Sequence, residues 1–157
     1  MPISTQPFIQ DDQMIEDILN TVKTIAVVGA SPNPDRVSHQ IMVMLMEHGY
    51  DVIPINPRPG LEEIAGVKVF PDLGAVDRAV DMVDVFRKPE HLMAVASDAI
   101  AIKAKVLWGQ LGVVDEEAAR LARDAGLKVV MDRCPKIELD RIKLDLMAKS
   151  RAKAKDN

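Results

Sequence analysis

The 157-residue chain predicts a single-domain α/β fold with a doubly wound parallel sheet. Three observations carry that prediction. Short apolar runs such as Ile25-Ala26-Val27-Val28, Val52-Ile53 and Val129-Val130-Met131 alternate with longer amphipathic segments. Within the runs nearly every residue is apolar, rather than every second one, as in strands covered on both faces. The runs end in turn-forming or charged residues, and a helix start signal follows several of them.

The elements follow in order. Residues 1–10 show no periodicity and read as a flexible arm. Asp11 or Asp12 can cap a helix over residues 12–21, where Met14, Ile15, Ile18, Leu19 and Val22 recur at helical spacing. The first strand covers 24–28 and breaks at Gly29. A proline-containing turn then leads into a helix over about 36–48. Its Val37, Ile41, Met44, Leu45 and His48 fall near one face, and Gly49 stops it. Asp51 to Asn56 is the second strand, and Pro54 marks a side that is not fully paired.

After the turn Pro57-Arg58-Pro59-Gly60, residues 66–70 read as a third strand and 72–76 as a short helix. The fourth strand is 81–86, followed by a helix over 89–101 that Pro89 can start. The fifth strand is 105–108. A helix over about 115–125 is capped by Asp115 and ended by Gly126, and the sixth strand is 127–131. Ile137, Leu139, Ile142 and Leu146 support a C-terminal helix. The domain thus spans 11–148, with 149–157 a charged tail that frays.

Composition narrows the function classes. The charge balance is 20 basic against 24 acidic residues, which argues against a nucleic-acid binder with a basic face. Neither a secretory signal nor an apolar run of membrane-spanning length is visible. One cysteine, Cys134, excludes an intramolecular disulfide and fits a reducing, cytoplasmic setting. The histidines His39, His48 and His91 lie in helical segments with no partner at metal-ligand spacing. Neither a nucleophile elbow nor a Walker loop is present.

In a doubly wound sheet the ligand lies beyond the carboxyl ends of the strands. The residues just after the strands are therefore candidates: Gly29, Ala30, Ser31, Pro32 and Arg36, then Asn56, Pro57 and Arg58, then Phe86, Arg87 and Lys88. A dinucleotide-binding domain for NAD commonly carries an acid after the second strand. Here Asn56-Pro57-Arg58 stands there, and no carboxylate comes before Glu62. A cation suits a phosphorylated ribose, as in NADP or coenzyme A, and is otherwise a solvated turn residue. Arg36 at a helix start is unfavourable unless an anion is near.

Val28-Gly29-Ala30-Ser31-Pro32, Ile55-Asn56-Pro57, Val83-Asp84-Val85-Phe86-Arg87, Trp108-Gln110-Gly112 and Met131-Asp132-Arg133-Cys134-Pro135 occur in this order. With these motifs, residues 15–145 resemble the small stand-alone CoA-binding proteins of bacteria and archaea (YccU-like). Their fold is that of the CoA-binding domain of the succinyl-CoA synthetase α subunit. The resemblance implies a Rossmann-like domain that binds coenzyme A or an acyl-CoA. Gly29 to Pro32 would cradle the pyrophosphate, and Asn56-Pro57-Arg58 would flank the 3′-phosphate. Phe86-Arg87-Lys88 would lie along the nucleotide or pantetheine. The synthetase's phosphorylated histidine has no counterpart in His39, His48 or His91, so the ligase reaction is not carried over.

Three roles stay open: a CoA carrier, sensor or partner subunit; an NADP-dependent oxidoreductase; and the CoA-binding subunit of a split acyl-CoA synthetase. The apolar face of helix 89–101 (Leu92, Val95, Ile102) is available to the core or to a second copy in a homo-oligomer. Cys134 is either a buried core residue or, flanked by Arg133 and Lys136, a thiol open to a mixed disulfide with CoA.

Overall fold

The computed structural model describes residues 10–155. Helix α1 (Asp12–Thr21) precedes strand β1 (Thr24–Val28), helix α2 (Val37–Glu47) and strand β2 (Asp51–Ile55). Two short strands, β3 (Glu63–Ile64) and β4 (Val67–Lys68), and a 3-10 turn at Leu73–Ala75 come next. The chain continues through β5 (Met82–Val85), a 3-10 turn at Pro89–His91, α3 (Leu92–Ala101), β6 (Val106–Gly109), α4 (Glu116–Asp124), β7 (Lys128–Val130) and α5 (Pro135–Lys155).

Five strands form one parallel sheet in the order β2-β1-β5-β6-β7. The chain leaves β1 toward one edge and returns on its other side at β5. The switch point of this Rossmann-like sheet therefore lies between β1 and β5. Apart from Asp84 in β5, the buried strand positions are apolar on both faces because both are covered. Val28, Ile53, Val83, Val85, Leu107 and Val129 pack against α3 and α4, where Ala96, Ala99, Ala118, Ala119 and Ala122 allow close approach. On the opposite face Val27, Met82, Trp108 and Val130 pack against α1, α2 and α5.

Local signals account for the helix starts. Asp11 Oδ1 accepts the Met14 N–H at 2.8 Å, and Asp115 Oδ1 accepts those of Glu117 and Ala118 at 3.0 and 3.2 Å. Pro54 lies on the edge strand β2, and its carbonyl accepts the Phe70 N–H on the outer side. Its missing N–H therefore costs no bond to β1.

Several expectations need correction. Residues 66–70 are not a strand of the main sheet. Ala65 and Gly66 adopt positive φ, 51° and 79°, and fold β3 and β4 into an antiparallel hairpin. Only Phe70 reaches the sheet edge, as a single parallel bridge to Ile55. The segment 72–76 forms only a 3-10 turn, capped by Asp72. Val37 and His48 are exposed, and α2 buries Ser38, Ile41, Met42 and Leu45 instead. Residues 149–155 continue α5, and Ile137 and Leu146 are exposed on it. Leu92 and Val95, by contrast, lie in the core as read from the sequence. The expected arm at 1–10 lies outside the described residues except for Gln10. The amide of Gln10 both donates to and accepts from the Met131 backbone, at 2.7 and 2.8 Å.

Candidate functional site

At the switch point, Gly29 has φ +87°, and a Cβ there would lie 2.3 Å from the carbonyl oxygen of Phe86. Strands β1 and β5 leave the sheet too close together for any side chain. Both sides are pinned: Phe86 donates to the Val28 carbonyl at 2.8 Å, and Gly29 and Ala30 donate to the Ile55 carbonyl at 3.1 and 3.3 Å. Two of the turn's N–H groups are therefore already engaged.

The loop from Ser31 to Arg36 is held by its own side chains. Ser31 Oγ accepts the Asn33 N–H at 3.1 Å, and Asn33 Oδ1 accepts that of Asp35 at 3.0 Å. His39 Nδ1 donates to the Ser31 carbonyl at 2.9 Å. Arg36 occupies the N-cap of α2 but makes no side-chain cap bond. The first N–H groups of α2, at Val37, Ser38 and His39, thus lack a cap and point out of the helix. With the helix dipole behind them they form a local positive potential.

Asn56 joins two turns. Its Nδ2 donates to the Ala30 carbonyl at 2.8 Å, and its Oδ1 accepts the Arg58 N–H at 2.9 Å. It fixes the loop after β2 against the loop after β1, and the Arg58 side chain projects from that brace into solvent. Phe86 is half-buried against the α1/α2/α5 layer, Arg87 is half-buried, and Lys88 is exposed. Arg36, Arg58, Arg87 and Lys88 form no ion pair among the described residues, whereas Arg78, Lys105, Arg133, Lys136 and Arg141 all do.

A cleft of about 220 Å³ opens here on the α3 side of the sheet. Gly29, Pro57 and Arg87 line it as expected, but so do Asp72, His91 and Asp98. Sequence reasoning missed these three, because they come from two 3-10 turns and from α3, whose placement depends on packing. A larger cavity of about 500 Å³ lies at the opposite, amino ends of the strands. Asp81 in its wall is occupied structurally: Oδ2 accepts the Lys23 and Thr24 N–H groups at 2.9 and 3.0 Å, and Oδ1 is 3.5 Å from Lys105. The uncapped N-terminus of α2 and the three unpaired arginines Arg36, Arg58 and Arg87 are at the carboxyl end, so we take that end as the candidate site.

Two buried polar residues lie just below it, on the α1/α2/α5 face. Asp84 is fully buried, and neither carboxylate oxygen has a partner among the described residues. Burial pushes its carboxyl well above the usual carboxylate range, favouring the neutral acid. Gln110 is also buried, with Oε1 unpaired. Asp84 is level with Trp108 in the neighbouring strand, so Gln110 sits on the same face two residues further on. An aspartate inside an apolar central strand is the sequence signal for it.

The corner after β7 is braced rather than open. Asp132 Oδ1 accepts the Gly112 N–H at 2.7 Å, and Trp108 Nε1 donates to the Arg133 carbonyl at 2.8 Å. Arg133 pairs with the buried Glu138 at 3.0 Å, and Lys136 pairs with Asp140 at 2.9 Å. The cations beside Cys134 are therefore committed to carboxylates, and Cys134 itself is buried.

Strand order and switch point define a Rossmann-like α/β domain, with an open helix terminus at the carboxyl end of its sheet. The chain belongs to the CoA-binding domain family, whose model matches residues 23–140. A Bacillus subtilis relative, the uncharacterized protein YneT, is 42% identical over 123 residues, covering 78% of this chain and 90% of its own. The solved structure of a hypothetical protein from Pyrococcus horikoshii superposes with a TM-score of 0.81 at 40% identity, covering 88% of this chain and 96% of that one. The alpha subunit of ADP-forming acetate–CoA ligase I from Pyrococcus furiosus is 28% identical over 122 residues. That match covers 69% of this chain but only 26% of the subunit. Among the described residues no helix is long and apolar enough to cross a membrane.

Proposed function

We propose that this chain is a cytoplasmic protein that binds coenzyme A, free or acylated, across the carboxyl ends of β1, β2 and β5. It acts as a carrier, sensor or partner subunit. The observation that carries this reading is the set Arg36, Arg58, Arg87 and Lys88, cations left without carboxylate partners around an uncapped helix N-terminus. CoA carries a pyrophosphate and a ribose 3′-phosphate, and such a set matches two separated anions.

In this reading Ser31 and the first turn of α2 hold the pyrophosphate, since Gly29 and Ala30 already donate to Ile55. Ala30 and Pro32 shape the turn, and Arg36 flanks it. Asn56 and Pro57 set the direction of Arg58, which reads the 3′-phosphate. Phe86, Arg87 and Lys88 flank the nucleotide and the start of the pantetheine.

The partner-subunit role draws support from the Pyrococcus furiosus relative, which is one subunit of a ligase; the match covers about a quarter of that subunit. An NADP-dependent oxidoreductase would use the same cation at Arg58 for a 2′-phosphate. Thermal-shift measurements with CoA, acetyl-CoA, dephospho-CoA, NADP and NAD separate the readings, since a ligand that binds only the native state raises its stability. CoA and acetyl-CoA are expected to give the largest shifts. A shift with NADP and none with CoA would replace this reading by the oxidoreductase.

A further inference from the structure

The strand ends at the candidate site differ in chemistry. After β1, β2 and β5 stand Arg36, Arg58 and the pair Arg87-Lys88, whereas residues 110–114 after β6 read Gln-Leu-Gly-Val-Val and carry no charge. Gln110 and Val113 of that loop are buried, but Leu111 is 58% and Val114 43% exposed. Single apolar side chains in water are common. These two, however, stand on a loop that is held in place.

A Cβ on Gly109 would lie 2.6 Å from the Val113 carbonyl oxygen, so the loop folds back on the strand end with no room to spare. Val113 donates its N–H to the Gln110 carbonyl at 2.8 Å, and Gly112 donates to Asp132 Oδ1 at 2.7 Å. Asp132 does so at φ 59°, in the left-handed region that is uncommon for a residue with a Cβ. The backbone of the loop is thus tied at both ends of its turn, and it keeps Leu111 and Val114 in water.

The order of the strands supplies the occupant, in a step that rests on the reading that CoA lies across the carboxyl ends. In that reading the groups of CoA follow the sheet inward from its β2 edge. The 3′-phosphate meets Arg58 after β2, the pyrophosphate meets α2 after β1, and the pantetheine meets Phe86, Arg87 and Lys88 after β5. The next strand is β6, whose axis lies about 5 Å from that of β5. Val85 pairs with Gly109, and Gln110 donates to the Val85 carbonyl at 3.3 Å, so Phe86 is level with Gln110, one residue before Leu111. The pantetheine arm ends in the sulfur that carries the acyl group. A ligand laid out in this order brings its acyl group to the β6 end.

We propose that the site takes CoA thioesters of apolar acyl groups, with the acyl chain lying on Leu111 and Val114. Such a chain removes both side chains from water, whereas free CoA leaves them exposed. Cations at one end of the crevice and an uncharged apolar loop at the other match the two ends of such a molecule.

Calorimetric titration of the full chain with CoA, acetyl-CoA, butyryl-CoA and hexanoyl-CoA tests the proposal. A fully covered methylene tightens binding about fourfold, and a half-covered one about twofold. With half-covered methylenes, butyryl-CoA should bind about fourfold and hexanoyl-CoA about 16-fold tighter than acetyl-CoA. In the double variant Leu111→Ser, Val114→Ser the series should flatten while free CoA binds as it does to wild type. Both positions are exposed, and unchanged Trp108 fluorescence confirms that the variant is folded. Equal affinities along the series, with free CoA bound, overturn the proposal and leave the CoA reading standing. A chain-length gain that survives in the double variant also overturns it, because the acyl group then lies elsewhere. Binding of none of the four ligands overturns the CoA reading and this proposal with it. Sedimentation velocity on the ligand-free chain is the second arm: a dimer that the double variant abolishes would overturn the proposal and assign the loop to a second copy.

Discussion

Gly29→Ala tests whether the switch point is closed by packing. Two costs add. The residue has φ +87°, where a side chain costs about 1–2 kcal/mol. Its new Cβ would lie 2.3 Å from the Phe86 carbonyl oxygen, about 1 Å inside an ordinary carbon–oxygen contact. Neither partner yields easily, because hydrogen bonds to Ile55 and Val28 hold both. Forcing the strands apart adds about 1–3 kcal/mol, for a total of about 2–5 kcal/mol out of the 5–15 that typically holds a domain. Gly60→Ala is the control: its φ is +81°, but nothing lies within 4 Å of its Cβ, so it should show only the conformational part. Urea unfolding followed by the single, fully buried Trp108 measures both. Equal losses in the two variants would refute the steric argument and return Gly29 to the role of a ligand-facing glycine alone.

Asp84→Asn should stabilise the protein increasingly as pH rises. The native carboxyl is raised by burial, so above about pH 4 the unfolded state releases a proton that the native state keeps. Wild-type stability then falls by about 1.4 kcal/mol per pH unit until Asp84 itself ionises, and the variant lacks that slope. Parallel urea-midpoint profiles for the two proteins would show that Asp84 is not held neutral. Asn56→Ala removes two hydrogen bonds and strands the carbonyl of the buried Ala30, costing about 1–3 kcal/mol by denaturant titration. A loss within error would mean that the brace is not structural. Cys134 should react with a thiol reagent only at the rate of unfolding, and incubation with CoA disulfide should give no adduct on the native chain by intact mass. A CoA-sized, dithiothreitol-sensitive adduct that Cys134→Ser lacks would reverse that assignment.

The parallel strands were legible because doubly covered strands leave continuous apolar runs, as in Ile25 to Val28. The third strand was misread for a local reason. Gly66-Val67-Lys68-Val69-Phe70 has strand composition, but the left-handed pair Ala65-Gly66 folds it back on Glu63-Ile64. An alanine at positive φ gives no warning in a sequence. In α5 the periodicity of Leu139, Ile142 and Leu146 is real, but periodicity does not say where the domain surface ends. At the site, Gly29, Arg58 and Arg87 could be found because they directly follow strands. Asp72, His91 and Asp98 reach the cleft through tertiary packing, which no spacing encodes. Asp84 was visible as an anomaly, but its lack of partners depends on what α1, α2 and α5 bring against it.

Calorimetric titration of CoA and dephospho-CoA into wild type and Arg58→Ala tests the central claim most directly. The proposed site predicts saturable, one-to-one CoA binding, weaker binding of dephospho-CoA, and a loss of about 1.5–3 kcal/mol in Arg58→Ala for CoA alone. No saturable CoA binding, or an equal loss for both ligands, would contradict it.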